Sequence, residues 1–353
     1  MIDRILFDCE RLKYPNTGLF TFCEGLGHAL IRCLAPHQKL TAYVPPEAIN
    51  IFGNNVQYLT QRPWHKLFVP KSGEFDVWHS SNQVSRYYPS GNHTKIILTI
   101  HDLNFLVEKK HNKRKLYRIL RQIQKRIDKA TIIVCISHFV ADQIRQYLDL
   151  RGKALHVIYN GCTVNDYPHF DNPRCRPHRH FLFTIGTILP KKNFHVLPAL
   201  LEDNDYELII AGNTIDLEYV DKIRNEASNV NVSDRVHIIG PISNEERSWY
   251  YRHCSAFVFP SIAEGFGLPP IEAMHYGKAV FLSTETSLPE IGADAAYYFK
   301  TFDPVDMRKV LKNGLNKFQI DGMEYKARRR AEQFNWNDTA KAYLKLYDSL
   351  ISR

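Results

Sequence analysis

The apolar run Ala256-Phe257-Val258-Phe259 stops at Pro260, and PSIAEGFGLPPIEAMHYG (260–277) follows it. A short strand, a loop with two glycines and two prolines, and a helical pattern from Pro270 are thereby set in sequence. Gly265 and Gly267 permit close backbone approach and positive φ. Pro269 and Pro270 suit a helix start, where a missing N–H costs nothing. The free N–H groups of that first turn, with the helix dipole, favour an anion such as a diphosphate. Two carboxylates frame the loop with seven residues between them. Glu264 can point into the space above the strand ends. Glu272 can accept hydrogen bonds from a ribose, or it can simply complement the helix dipole.

The rest of the chain repeats that strand–loop–helix alternation. Arg4–Asp8 reads as a first strand and Phe20–Leu34 as a helix, joined by the turn-rich Tyr14-Pro-Asn-Thr-Gly18. Strand patterns recur at 39–44, 56–59, 76–79 and 95–100, the last ending in His101-Asp102. Functional groups in parallel sheets collect at the carboxyl ends of strands, and that is where this pair sits. Strands at 131–136 and 155–158 complete this half, with a Ser137-capped helix between them. From 163 to 180 the composition turns to Pro, His, Arg and Asp without apolar period, which reads as a solvated linker.

The alternation restarts at Phe181–Ile185. That strand leads into Gly186-Thr187 and then Pro190-Lys191-Lys192-Asn193, followed by an expected helix to about Leu201. Lysines at the mouth of such a loop can neutralise a diphosphate leaving group. Further strands are expected at 207–211 and 236–239, with amphipathic helices past Pro304. Asp203-Asn-Asp205 has the D-x-D form of a metal motif, but it lies between a helix and a strand entrance and reads as a turn.

At 353 residues the chain exceeds the usual size of a single core, so two domains are expected. The boundaries read as 1–165, a linker 166–180, a second domain 181–335, and a terminal helix 336–353 returning to the first. Seven cysteines, odd in number and without C-x-x-C spacing, read as reduced thiols. No apolar stretch has the roughly 18–20 residues that span a bilayer, and the N-terminus reads as a strand. The expected location is therefore cytoplasmic. Of the net +9 charge, much lies in the helical pattern 109–129. Its residues Leu116, Ile119, Leu120, Ile123 and Ile127 share one face. That helix either packs on the sheet with a solvated basic face or meets anionic lipid as a peripheral membrane element. No RNA- or DNA-binding module accompanies the charge, which speaks against nucleic acid.

Taken together, 260–277 resembles the Glu–x7–Glu motif of retaining glycosyltransferases of family 4. STETSLPEIGADAA (283–296) is similar to the family's "SLPE…GDAA" segment. FTIGTILPKKN (183–193) resembles its "GT-x-x-P-R-K-N", with Lys191 in the place of the arginine. Asn160-Gly161 resembles a "PNG" turn in which Tyr159 replaces the proline. The resemblance implies an α/β chain of the GT-B fold, two Rossmann-like doubly wound domains facing each other across a cleft.

It also implies roles for single residues. Lys192 is matched to the diphosphate lysine, Lys191 to its basic neighbour, and Gly18 to a glycine near the donor diphosphate. His101 is matched to a histidine at the sugar's primary hydroxyl, Glu264 to the carboxylate on the sugar hydroxyls, and Glu272 to the ribose ligand. Gly186, Thr187, Gly265, Phe266, Gly267 and Leu268 complete the implied donor contacts. His101, Lys192 and Glu264 are the implied catalytic set, with no metal and no resident cofactor. The implied substrates are a nucleotide-diphosphate sugar, GDP-mannose first, and a glycan or lipid-linked acceptor in surface polysaccharide synthesis. Two other readings stay open: an epimerase or hydrolase of the same fold, and a catalytically silent partner module.

Overall fold

The computed structural model describes residues 3–15, 17–90, 93–108 and 112–351. The chain divides into two compact units, one of Met1–Thr163 with Phe334–Arg353, the other of Val164–Gln333.

The first unit is built on a seven-stranded parallel sheet. Its strands are β1 Asp3–Asp8, β2 Gln38–Val44, β3 Gln57–Thr60, β4 Val77–Ser80, β5 Lys95–Ile100, β6 Ile132–Cys135 and β7 Leu155–Val157. They lie in the order β3-β2-β1-β4-β5-β6-β7. Such strands are apolar almost throughout because helices cover both faces; β1, for instance, buries every residue except Arg4. The order reverses between β1 and β4, so a crevice opens at their carboxyl ends. The first helix begins at Gly18, two residues earlier than expected, because Thr17 caps it by accepting from Phe20 N at 3.2 Å.

The terminal helix Trp336–Leu350 belongs to this unit. Its Tyr347 hydroxyl lies 2.7 Å from Nδ1 of the buried His79, and its Tyr343 hydroxyl lies 2.9 Å from Thr99 Oγ1. His79 Nε2 completes the chain to Thr99 at 2.8 Å. Burying Trp336, Tyr343 and Tyr347 here contributes several kcal/mol, about 3–5 for one such aromatic.

The basic helix runs Lys113–Lys129, and Lys109–His111 lie outside the described residues. Ile123 and Ile127 are buried against the sheet, and Arg126 lies over the Tyr88 ring at 4.8 Å. Its amino-terminal half is largely uncovered, with Tyr117 69% exposed. Among the described residues, no helix is long and apolar enough to cross a membrane.

The second unit holds a six-stranded parallel sheet: β8 Phe181–Ile185, β9 Glu207–Ala211, β10 Val236–Gly240, β11 Ala256–Phe259, β12 Ala279–Ser283 and β13 Tyr297–Phe299. The order is β10-β9-β8-β11-β12-β13, which puts its switch point between β8 and β11. Two expectations need correction. The helix foreseen after Asn193 is broken into the 3₁₀ turns Phe194–Val196 and Pro198–Leu201, because Pro198 cannot donate to a continuing helix. The stretch 166–180 is solvated, most of its residues being exposed, but it is tethered to the second unit and not free. Arg174 Nε donates to Glu246 at 3.0 Å, Trp249 Nε1 to Asp171 at 2.9 Å and Tyr250 Oη to Cys175 O at 2.8 Å. Paired polar groups hold it on the second unit where apolar periodicity is lacking.

Candidate donor-binding site

The loops that follow β8 and β11 meet at the switch point of the second sheet. Ile262 N donates to Lys191 O at 2.8 Å, so the two loops are stitched together through backbone, and Ser261 Oγ lies 3.1 Å from the same oxygen. Gly186 follows β8 and Gly212 follows β9, the latter at φ +138°; a Cβ on Gly212 would lie 1.9 Å from Gly186 O. Only glycine fits there. Thr187 follows at the same rim, half-buried, and Ile188 N is fixed by Asn213 O at 2.9 Å.

Lys191 and Lys192 sit in a 3₁₀ turn, Pro190–Lys192. Lys192 Nζ forms an ion pair with Glu264 Oε1 and lies 4.9 Å from the centre of the Phe259 ring. Ser261 Oγ donates to the same Glu264 oxygen at 2.7 Å, and Glu264 N donates to Thr286 Oγ1 at 3.1 Å. Both partners are mostly shielded, with side chains 13% and 14% exposed. A desolvated lysine and carboxylate thus converge at one point on the strand ends, where charge is stabilised strongly.

The glycine loop is held from behind. Ser287 Oγ lies 2.7 Å from Phe266 O and 3.2 Å from Glu264 O, and Ser283 Oγ donates to Ser261 O at 2.5 Å. Gly265, Phe266 and Gly267 are buried and Leu268 is half-buried. The helix begins at Leu268, so Pro269 and Pro270 fall inside its first turn, and Gly267 caps it at φ +117°. The Ser-Leu-Pro-Glu resemblance therefore has a physical content: it is the clamp that shapes the Glu264–Leu268 loop.

Glu272 is 5% exposed. Its carboxylate pairs with the Arg247 guanidinium, Nε donating at 2.9 Å, and accepts from Tyr251 Oη at 2.8 Å. Arg247 and Tyr251 lie on one turn of the helix Asn244–His253 and escaped the sequence reading. Their i, i+4 spacing was the only local sign. Glu272 is thus a braced carboxylate with further lone pairs available to a hydroxyl.

In the first unit His101 follows β5 and is buried. Its Nε2 lies 2.7 Å from Ser81 O, which makes Nε2 the donor and leaves Nδ1 as an acceptor. Burial pushes its pKa down to about 4, against a smaller opposing effect of the Ser81 contact. The imidazole is therefore neutral near pH 7. Asp102 forms a turn by accepting from Asn104 N at 3.0 Å. Gly18 is exposed at the start of its helix, with open space around the position of a Cβ. The one His/Asp group with metal-ligand spacing among the described residues is Asp3, His37 and Asp348, at the amino ends of β1 and β2.

Comparison with known proteins covers both units. The family model "Glycosyltransferase Family 4" matches residues 31–166, and "Glycosyl transferases group 1" matches 170–333. The O-antigen chain mannosyltransferase B of Escherichia coli is 25% identical over 98% of this chain and 100% of its own length. The serotype-specific mannosyltransferase WbdA of the same organism is 29% identical over 60% of this chain, which spans 28% of that longer protein. Among solved structures, a sucrose-phosphate synthase from Thermosynechococcus elongatus superposes with a TM-score of 0.75 at 17% identity, covering 99% of each chain. Anabaena HepE in complex with UDP-glucose gives 0.70 at 15% identity, covering 98% and 99%.

Proposed function

The chain belongs to glycosyltransferase family 4, with the GT-B fold, and on that premise we propose that it transfers a hexose with retention from a nucleotide-diphosphate sugar to a glycan or lipid-linked acceptor. The observation that carries this reading is the pairing of Lys192 with Glu264 at the β8/β11 switch point. A donor diphosphate offers Lys192 a stronger partner than Glu264, and release of Glu264 frees a carboxylate to grip sugar hydroxyls. Lys192, Lys191 and the helix N-terminus at Leu268 stabilise charge on the departing diphosphate. Glu272, braced by Arg247, receives the ribose. Neutral His101 accepts from the sugar's primary hydroxyl through Nδ1. By the family match, Gly18 is assigned to the same diphosphate.

In this account the anomeric C–O bond to the diphosphate breaks as the acceptor oxygen bonds to the same face of that carbon. The acceptor's proton passes to the leaving diphosphate, so no general base and no divalent ion is assigned. The mannosyltransferase relatives support mannose as the sugar moved, in the assembly of a surface polysaccharide such as an O-antigen, and GDP-mannose is the first donor to try. The HepE neighbour, solved with UDP-glucose, makes UDP-glucose the second donor to try. The basic helix Lys113–Lys129 would bring the enzyme to the anionic cytoplasmic face of the membrane. The test is incubation with GDP-mannose, UDP-glucose and a lipid-linked glycan, with EDTA present. Acceptor-dependent release of one nucleoside diphosphate and an α-linked product support the reading. Donor cleavage independent of acceptor would favour a hydrolase or epimerase, and no cleavage a silent module.

A further inference from the structure

At the carboxyl end of β1, an interior strand of the first sheet, stands Asp8, with no solvent exposure. Strand β4 lies between β1 and β5, so the segment leaving β4 passes between Asp8 and His101. It is held on both sides. On the β5 side, Ser81 O lies 2.7 Å from His101 Nε2, Gln83 Oε1 accepts from His101 N at 3.1 Å, and Gln83 Nε2 donates to Asp102 O at 3.0 Å. On the β1 side, Ser85 Oγ donates to Asp8 Oδ2 at 2.6 Å and accepts from Tyr87 N at 3.3 Å. The other Asp8 oxygen accepts from Glu10 N at 3.0 Å. The loop that orients His101 is therefore anchored at its far end by one buried carboxyl.

We propose that Asp8 is a positioning residue that sets His101 through the Ser81–Ser85 loop, tight when its carboxyl is ionised and slack when it is protonated. An ionised carboxylate accepts from Ser85 and Glu10 together through charge-assisted bonds; a protonated one keeps Ser85 only through a weaker neutral bond, reversed when the proton sits on Oδ2. Burial raises the Asp8 pKa to about 7, with Glu10 adding to the rise, and Ser85, Glu10 N and Arg11 opposing it. Besides Glu10 and Arg11, which are paired to each other at 3.0 Å, the titratable groups within electrostatic reach are Cys9, Tyr43 of β2 and Tyr87 and Tyr88 after β4. Cys9 and the three phenols stay neutral, since each is pushed up from an ordinary value of 9 or 10.

The test uses the full chain with ¹⁵N-labelled histidine, His101 being assigned by comparison with His101→Gln. His101 is itself neutral above about pH 5, so a shift of its ring resonances near pH 7 reports a neighbour. The expected result is such a shift in the wild type, its loss in the isosteric Asp8→Asn, and its displacement to higher pH in Ser85→Ala. A flat His101 trace between pH 5.5 and 8.5, or a shift that survives in Asp8→Asn, overturns the proposal. Only the second arm rests on the transferase reading: kcat rises through pH 7 in the wild type and loses that rise in Asp8→Asn, while nucleoside diphosphate binding is unchanged. A kcat rise that persists in Asp8→Asn also overturns it. If no donor is turned over, that reading fails while the resonance arm still decides.

Discussion

Glu264 and Lys192 form an ion pair across two loops, although they stand 72 residues apart, and Ser261 fixes the carboxylate oxygen that the lysine contacts. The pair holds both groups at the β8/β11 switch point before any substrate arrives. Replacing Lys192 by Ala is expected to lower kcat by about 10²–10³-fold, the usual effect of removing one stabiliser of developing charge. Glu264→Gln keeps the Ser261 hydrogen bond but loses the charge, so it should lower kcat with a smaller change in nucleoside diphosphate affinity. Steady-state kinetics with an isothermal titration of the nucleotide separates the two effects.

The Arg247–Glu272 pair is asymmetric in burial, and the two truncations should differ accordingly. Arg247→Ala leaves a carboxylate that is 5% exposed with Tyr251 as its remaining charge-stabilising partner, at a cost of about 3 kcal/mol. Glu272→Ala leaves an arginine side chain 36% exposed, which water can reach, and should cost closer to about 1 kcal/mol. Urea unfolding of the two variants tests the order. Glu272→Ala should in addition lose most nucleotide affinity.

Stability should rise with pH between about 4 and 6.5. His79 and His101 are both held neutral by burial, at about 3 and about 4, so the unfolded chain takes up protons below 6.5 that the folded chain refuses. Asp8 acts oppositely, because the folded chain keeps its proton up to about 7. Two groups against one leave a net slope of about 1.4 kcal/mol per pH unit from these three. His101→Gln should remove about that much from the slope, as read from urea midpoints measured at pH 4.5, 5.5 and 6.5.

For the basic helix, the account predicts binding to vesicles containing anionic lipid and not to neutral ones. Each cation near such a surface contributes about 1 kcal/mol. Neutralising Lys113, Arg114, Lys115 and Arg118 together should abolish sedimentation with anionic vesicles. Unchanged binding would remove the helix from the membrane account.

What the sequence revealed and what it hid divide by range. The strand–glycine loop–helix at 256–277 was legible because strand period, Gly and Pro are local signals. The lysines after β8 were legible for the same reason, from position in a βα loop. The pairings were not. Arg247 and Tyr251 reach Glu272 from a different helix, Thr286 and Ser287 brace a loop some twenty residues away, and Asp8 meets Ser85 across 77 residues. No periodicity encodes such contacts. The solvated stretch 166–180 was legible from its polar composition, but its tethers were not, because the bonds of Arg174 and Asp171 to Glu246 and Trp249 leave no apolar pattern.

The most direct test is a thermal-shift panel of GDP, UDP, ADP, dTDP and NAD, with and without EDTA, on the wild type and Lys192→Ala. A ligand at about 100 times its dissociation constant adds ~2.7 kcal/mol to stability, which is readily seen. The account predicts a selective shift with one nucleoside diphosphate, GDP first, that survives EDTA and is lost in Lys192→Ala. No shift with any nucleoside diphosphate, or an equal shift in the variant, would contradict it.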